Sequence, residues 1–434
     1  MSISPTIIIA DDLTGANDTA LQFFAQGYSA RIIIDFDQDF DSMDNVDILS
    51  ITTETRNAPK EIALDRILKI NEKLKDKINT QNFYKKIDST LRGNTGAEIV
   101  TLLEVLQKDV ALVAPAYIEE KRTTVGAYQL LNGIPIERTQ CALDPKAPIY
   151  DSFIPDILKK DLNPVFEDLI GIIDFKTITK GAGPIILKLN ELVQKGKKVI
   201  VLDATSITDL EQIALAINKS TYDILPCGSA GLAKAINKIN DTDKKNEPPK
   251  KLPNYANLII SGSATQLSLT QIGRLKELKE EIFFVDLTIK DIIEGVSKEL
   301  IKTICEKLNS KKDVVIHGSY LNNEIMSESG KEMLIDAGIA KNEISNKITD
   351  YLADLLKEIN SNSDFILTTI GGETSYKCAR AINSAYLEII DNILPAIPLC
   401  IDANNRYITT KSGNFGTVDT LVEILNYFEK LKAE

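Results

Sequence analysis

Several short segments gather residues whose chemistry goes beyond folding. Ala10-Asp11-Asp12-Leu13-Thr14-Gly15-Ala16 sets two carboxylates beside a Thr-Gly step at the start of a helix. A helix start carries unpaired backbone N–H groups, so acids and amide donors would lie side by side. Asp12 or Thr14 can cap that helix. One cap needs one side chain, which leaves an aspartate over as a base or metal ligand. Lys85-Lys86-Ile87-Asp88-Ser89-Thr90-Leu91-Arg92-Gly93-Asn94 is denser, with three cations, one carboxylate and two hydroxyls at one strand-to-helix junction. Arginine forks a carboxylate or phosphate through paired N–H groups, and hydroxyls orient sugar OH groups. A solvated turn with surface lysines accounts well for Lys85 and poorly for Arg92. Arg56, in Thr53-Glu54-Thr55-Arg56, and Arg122, before Thr123-Thr124, are further cationic candidates.

Glycine loops form a second group. They are Ser261-Gly262-Ser263-Ala264-Thr265-Gln266, Gly371-Gly372-Glu373-Thr374-Ser375 and Lys411-Ser412-Gly413-Asn414-Phe415-Gly416. Glycine lets backbone approach a ligand closely, and a helix N-terminus favours negative charge, so such loops suit nucleotide phosphates. None is a P-loop or a Gly-x-Gly-x-x-Gly fingerprint. Gly228-Ser229-Ala230-Gly231-Leu232-Ala233 is a further loop of this kind, with a tightly packed helix start as the favoured alternative. The single histidine, His317, rules out a multi-histidine metal site.

Short β-branched runs alternating with helical stretches must position these loops. Strands are expected at 6–10, 30–34, 47–51, 82–87, 111–114, 199–202, 258–260, 282–285, 313–316 and 365–370. Amphipathic helices are expected near 16–26, 60–77, 97–106, 210–217, 266–280, 344–359 and 375–385. Continuous apolar strands separated by helices imply parallel sheets covered on both faces. The charged, proline-rich stretch from Asp241 to Pro253 reads as a linker. The fold class is therefore α/β, with two domains at 1–240 and 254–434. Each is a mostly parallel sheet flanked by helices, and an interdomain active-site cleft is expected.

In their order along the chain, these segments resemble the four-carbon acid sugar kinase family. The matching pieces are 10–16, 86–94, Pro115-Ala116 with Arg122-Thr123-Thr124, 228–233, 261–263, 371–374 and 411–416. The resemblance spans residue 6 to about 420. It implies an N-terminal domain for the sugar acid and a C-terminal domain for ATP. Family members phosphorylate the terminal hydroxyl of D-threonate, D-erythronate or a 3-oxo-tetronate.

Carried onto this sequence, the resemblance puts ATP on Ser261, Gly262, Ser263, Gly371, Gly372, Glu373, Thr374, Ser412, Gly413 and Asn414. The sugar acid falls to Asp11, Arg56, Lys86, Ser89, Thr90 and Arg122, with Asp12, Asp88 and Arg92 as the catalytic set. Asp12 is the favoured base and Asp88 the runner-up, and Mg²⁺ is expected to arrive mainly through ATP. Lys121 stands where the family more often has glycine, which bears on the local loop shape. Residues 141–152 look more like the threonate or erythronate branch than the oxo-tetronate branch.

Composition bounds the alternatives. Fifty Lys and Arg against 62 Asp and Glu give a net charge of -12. Nucleic acid and anionic membrane want a positive face and are disfavoured partners. No apolar run approaches the roughly 20 residues of a membrane helix. The N-terminus does not read as a signal peptide. Five scattered cysteines without a Cys-x-x-Cys pair suit the cytoplasm. A homodimer is compatible with the sequence. The rival readings are a sugar-phosphate isomerase or aldolase and a non-catalytic sugar-acid sensor. An NAD-dependent oxidoreductase is disfavoured by the missing fingerprint.

Overall fold

A computed structural model describes residues 6–37, 45–77, 81–144, 146–160, 162, 168–239, 246–247, 249, 251–319 and 321–433. They form two compact units. The first holds the chain up to Asn246, apart from Ile33–Asp35, and the second holds those three residues and the chain from Glu247 on.

The first unit contains β1 (Thr6–Ala10), β2 (Ala30–Ile33), β3 (Ile48–Thr52), β4 (Asn82–Lys86) and β5 (Val110–Ala114). A small hairpin sheet follows, made of β6 (Arg122–Val125), β7 (Tyr128–Leu131) and β8 (Ile134–Pro135). Then come β9 (Ile170–Ile173), β10 (Val199–Leu202) and β11 (Ile224–Gly228). The main strands lie in the order β2-β3-β1-β4-β11-β5-β10-β9. Pairing from β3 across to β9 is parallel. β1, β3, β5 and β10 are buried along their whole length. That matches strands covered by helices on both faces.

Register decides which loops meet. Ala10 aligns with Thr52 and with Lys86, Lys86 with Gly228, and Gly228 with Ala114. Those residues end their strands at one edge of the sheet. The loops starting at Asp11, Thr53, Ile87 and Ser229 therefore leave from neighbouring positions on that edge.

The second unit contains β12 (Ala256–Ser261), β13 (Phe283–Asp286), β14 (Val314–His317), β15 (Phe365–Ile370), β16 (Tyr386–Leu394), β17 (Ile397–Asp402) and β18 (Tyr407–Lys411). Their order is β13-β14-β12-β15-β18-β17-β16. The first five are parallel. β17 runs antiparallel to both its neighbours. The helices Gln266–Leu278 and Thr420–Ala433 supply Ile272, Leu275, Leu421, Ile424 and Phe428 to a core with Ile259, Val315, Ile366 and Ile370.

The expected linker is shorter than 241–253. Residues 241–245, 248 and 250 lie outside the described set. Leu252, however, is buried in the second unit's core, and its N–H donates to the Leu431 carbonyl at 3.1 Å. An apolar residue directly after a charged run was enough to anchor that end. Among the described residues no helix is long and apolar enough to cross a membrane, and all five cysteines are free and buried.

The loop around Lys121 has a left-handed turn. Lys121 sits at φ 57°, ψ 33°, closing the short 3-10 turn Ile118–Glu120. A side chain in that region costs about 1–2 kcal/mol, partly offset by the extra freedom glycine has when unfolded. Lys121→Gly is thus expected to stabilise the protein by about 0.5–1 kcal/mol, read as a higher urea midpoint at unchanged slope.

Candidate active site

The edge of the first unit is built around Arg56. Its Nε and Nη2 donate to Asp11 at 2.8 and 2.9 Å, and its Nη1 and Nη2 donate to Asp12 at 2.5 and 2.7 Å. Two adjacent carboxylates at a strand end repel each other, and one guanidinium bridging both offsets that repulsion. Burial pushes the Asp11 carboxyl up, but Arg56, Lys86 and Lys85 outweigh it and hold it below the usual range. Asp12 also caps the helix Leu13–Phe24: its Oδ1 accepts from Gly15 N at 2.8 Å, and its Oδ2 from the Thr14 hydroxyl at 2.6 Å.

Lys85 and Lys86 leave β4 on opposite faces, as neighbours on a strand must. Lys85 is completely buried and pairs with Glu98 at 2.5 Å. The surface reading of Lys85 is thereby corrected: β4 lies inside a parallel sheet, so both its faces are covered. Lys86 is also buried, and its Nζ donates to the Ile87 carbonyl at 2.8 Å. A Cβ on Gly15 would fall 2.6 Å from Asp12 Oδ1 and 2.9 Å from Lys86 Nζ. Glycine there gives the ammonium room against the first helical turn.

The following turn holds Asp88 and Arg92 together. Arg92 Nε reaches Asp88 Oδ2 at 2.6 Å, Thr90 Oγ1 donates to the same oxygen at 2.6 Å, and Arg92 Nη1 reaches Asp144 at 2.9 Å. Burial raises the Asp88 carboxyl, yet Arg92 and Arg56 hold it well below the ordinary carboxylate range. Gly93, at φ +91°, passes so close to Arg56 that a Cβ would lie 3.0 Å from the Arg56 Cα. Asn94 Nδ2 donates to the Thr55 and Ala58 carbonyls at 2.9 Å each. The β3 and β4 loops are thus tied to one another.

In the second unit the three glycine loops converge. A Cβ on Gly262 would lie 2.3 Å from Thr374 Oγ1, and one on Gly413 would lie 2.2 Å from Ser263 Oγ. Thr265 caps the helix Gln266–Leu278, and its hydroxyl and that of Ser268 donate to the Gly413 carbonyl at 2.8 and 2.9 Å. Gly371, at φ +107°, precedes the helix Gly372–Ala381. Backbone amides and small hydroxyls therefore cluster beside two helix starts, an arrangement suited to phosphate.

Comparison with known proteins decides the family. Residues 6–236 match the family model described as a sugar-binding N-terminal domain, and residues 258–421 match the one described as a nucleotide-binding C-terminal domain. The chain belongs to the four-carbon acid sugar kinase family. A D-erythronate kinase of Heliobacterium modesticaldum is 27% identical over 441 residues, covering 98% of this chain and 97% of that protein. A D-threonate kinase of Salmonella typhimurium is 28% identical, covering 98% of each. A 3-oxo-tetronate kinase of Haemophilus influenzae is 23% identical, covering 95% of this chain and 97% of that protein. The fold is shared with a solved Salmonella typhimurium protein described as a putative tRNA synthase. Its TM-score is 0.79 at 22% identity, covering 98% of this chain and 99% of that one.

Within this family framework, several expected residues already have partners in the protein. Arg56 was expected to hold substrate, but four of its five N–H groups serve Asp11 and Asp12. The Thr90 hydroxyl, expected on a sugar OH, is spent on Asp88. Ser89 engages through its carbonyl, which accepts from Gln129 Nε2 at 2.6 Å. Arg122 pairs with Glu120 at 3.2 Å rather than with the Asp11–Arg92 network. Glu373 pairs with Lys377 at 3.3 Å, one turn along its own helix.

Three acids escaped the sequence reading. Glu54 accepts from Leu13 N and the Thr52 hydroxyl, each at 2.7 Å, and burial together with the Asp12 charge pushes its carboxyl up to about 8. Asp18 is buried on the first helix, and burial pushes it up to about 6. A charge among the apolar positions of an amphipathic helix was its only signal. Asp144, inside the 141–152 stretch, joins Arg92 from a distant loop.

Arg56→Met would leave Asp11 and Asp12 without their shared counter-charge. The expected cost is about 3–5 kcal/mol at pH 7. Asp11 contributes stability above its unfolded value near 3.8, and that contribution is lost as pH falls through its lower folded value. The gap between wild type and variant in urea unfolding should therefore be widest at neutral pH and narrow below pH ~4.

Proposed function

We propose that this protein is an ATP-dependent kinase that phosphorylates the terminal hydroxyl of a four-carbon sugar acid. The observation that carries this reading is full-length similarity to relatives named D-erythronate and D-threonate kinase, with both family domains present in order. D-threonate or D-erythronate is the favoured acceptor, on the likeness of residues 141–152 to that branch together with the 27–28% identity of two relatives so named.

On this reading the first unit binds the acid and the second binds ATP. Lys86, buried with one carbonyl partner, has two N–H groups left for the substrate carboxylate or hydroxyls. Arg92 spends three of its five N–H groups on Asp88 and Asp144 and keeps two. Arg56 acts as a positioning residue that gives two adjacent aspartates a shared counter-charge. The terminal hydroxyl oxygen attacks the γ-phosphorus, the bond to the bridging β-oxygen breaks, and ADP departs. The hydroxyl proton passes to Asp12. Asp88 is the runner-up base; burial raises its carboxyl, but Arg92 and Arg56 hold it well below the ordinary carboxylate range.

Among the described residues no group of three or more His, Cys, Asp or Glu side chains is placed to hold a metal ion. Mg²⁺ fits as a partner of ATP, held mainly through phosphate oxygens and neutralising their charge.

Incubation of the purified protein with labelled ATP and a panel of threonate, erythronate and their oxidised relatives tests the activity. Transfer of label to the acid is expected, and its absence for every tetronate would overturn the kinase reading. Asp12→Asn is expected to lower kcat about 100-fold or more, with Asp88→Asn acting mainly on KM for the acid. The reverse pattern would move the base to Asp88.

A further inference from the structure

Strand register in the second unit sets five residues in one row at the carboxyl edge of the sheet. Asp286 aligns with His317, His317 with Ser261, Ser261 with Ile370, and Ile370 with Lys411. Residues in one row of a parallel sheet share a face, here the face carrying Ile259, Val315 and Ile366 in the core. A row over an apolar core should be apolar. Ile370 obeys; Asp286, His317, Ser261 and Lys411 do not, and of these Lys411 is the one cation buried completely.

Lys411 is completely buried, and its Nζ donates to the Ser412 carbonyl at 2.9 Å. No carboxylate among the described residues pairs with it. An ammonium has three N–H groups, and burying one without an anion is costly. Burial lowers its pKa to about 8. Lys85 shows how this chain treats a buried lysine of purely structural use: it supplies Glu98 at 2.5 Å. Two more polar atoms in the same row are buried without a partner, Ser261 Oγ and His317 Nε2. Lys411 also leads directly into the loop whose Gly413 packs on Ser263.

We propose that Lys411 is a phosphate-binding residue of the nucleotide site, the cation whose missing anion is the phosphate chain of ATP. This rests on the kinase reading and adds a residue to it. Lys411 ends its strand at the start of the 411–416 loop, and its backbone carbonyl accepts from Gly371 N at 2.8 Å, so its ammonium adds a full positive charge beside loops whose backbone amides alone would supply only partial ones.

Lys411→Met in the full-length protein separates this role from a structural one. A buried cation kept for a ligand is a liability in the free protein. The ligand-free variant is therefore expected to melt at the same temperature as wild type or higher. ATP affinity, measured by calorimetry, should fall about 10- to 100-fold, the range of a charged hydrogen bond, while adenosine affinity stays within about threefold. Lys411→Arg should recover most of the ATP affinity. Three outcomes would overturn the assignment: ATP and adenosine weakened in parallel, ATP affinity unchanged, or a lower ligand-free melting temperature with the ATP response kept. Wild-type protein that bound no ATP would instead remove the kinase reading, and this assignment with it.

Discussion

The double ion pair from Arg56 to Asp11 and Asp12 is the constraint on which the first unit's edge depends. Two carboxylates in sequence at the end of a buried strand cannot both stay ionised without a shared cation. Arg56 comes from the loop after β3, so meeting that need fixes the β3 loop against the β1 loop. The Asp88–Arg92 turn is then held by the same group, because Gly93 lies on the Arg56 backbone and Asn94 bonds the Thr55 and Ala58 carbonyls. Charge balance at one point thereby positions three loops.

Both units place a lysine at the last residue of a central strand, Lys86 on β4 and Lys411 on β18. Each is buried, and each donates to the carbonyl of the next residue, at 2.8 and 2.9 Å. That bond satisfies one N–H and holds the ammonium at the sheet edge, where ligands of α/β folds bind. A chain with net charge -12 can in this way meet small anions. Its positive groups are few, desolvated and held in place, and acidic residues elsewhere serve solubility.

Much of the fold was legible because parallel strands covered on both faces read as continuous apolar runs. β1, β3, β5, β10, β12 and β15 all announced themselves. The hairpin β16–β17 did not, since Glu388, Asp391 and Asn392 interrupt a strand that is only half-buried. The glycine loops were also legible, because a strand followed by Gly and a helix start is a local pattern. Which atoms those glycines make room for was not, because Thr374 Oγ1 and Ser263 Oγ come from other loops.

The sequence by itself determined the α/β fold class and the family, because continuous apolar strands and ordered motifs depend on residues close together in the chain. Only the tertiary structure decided how charges are shared. It put Lys85 inside against Glu98, turned Arg56 toward two aspartates, brought Asp144 to Arg92 and gave Lys411 no carboxylate partner among the described residues. Ion pairing depends on distances of a few ångströms between side chains that are tens of residues apart. Strand register sets those distances, and no local spacing encodes them.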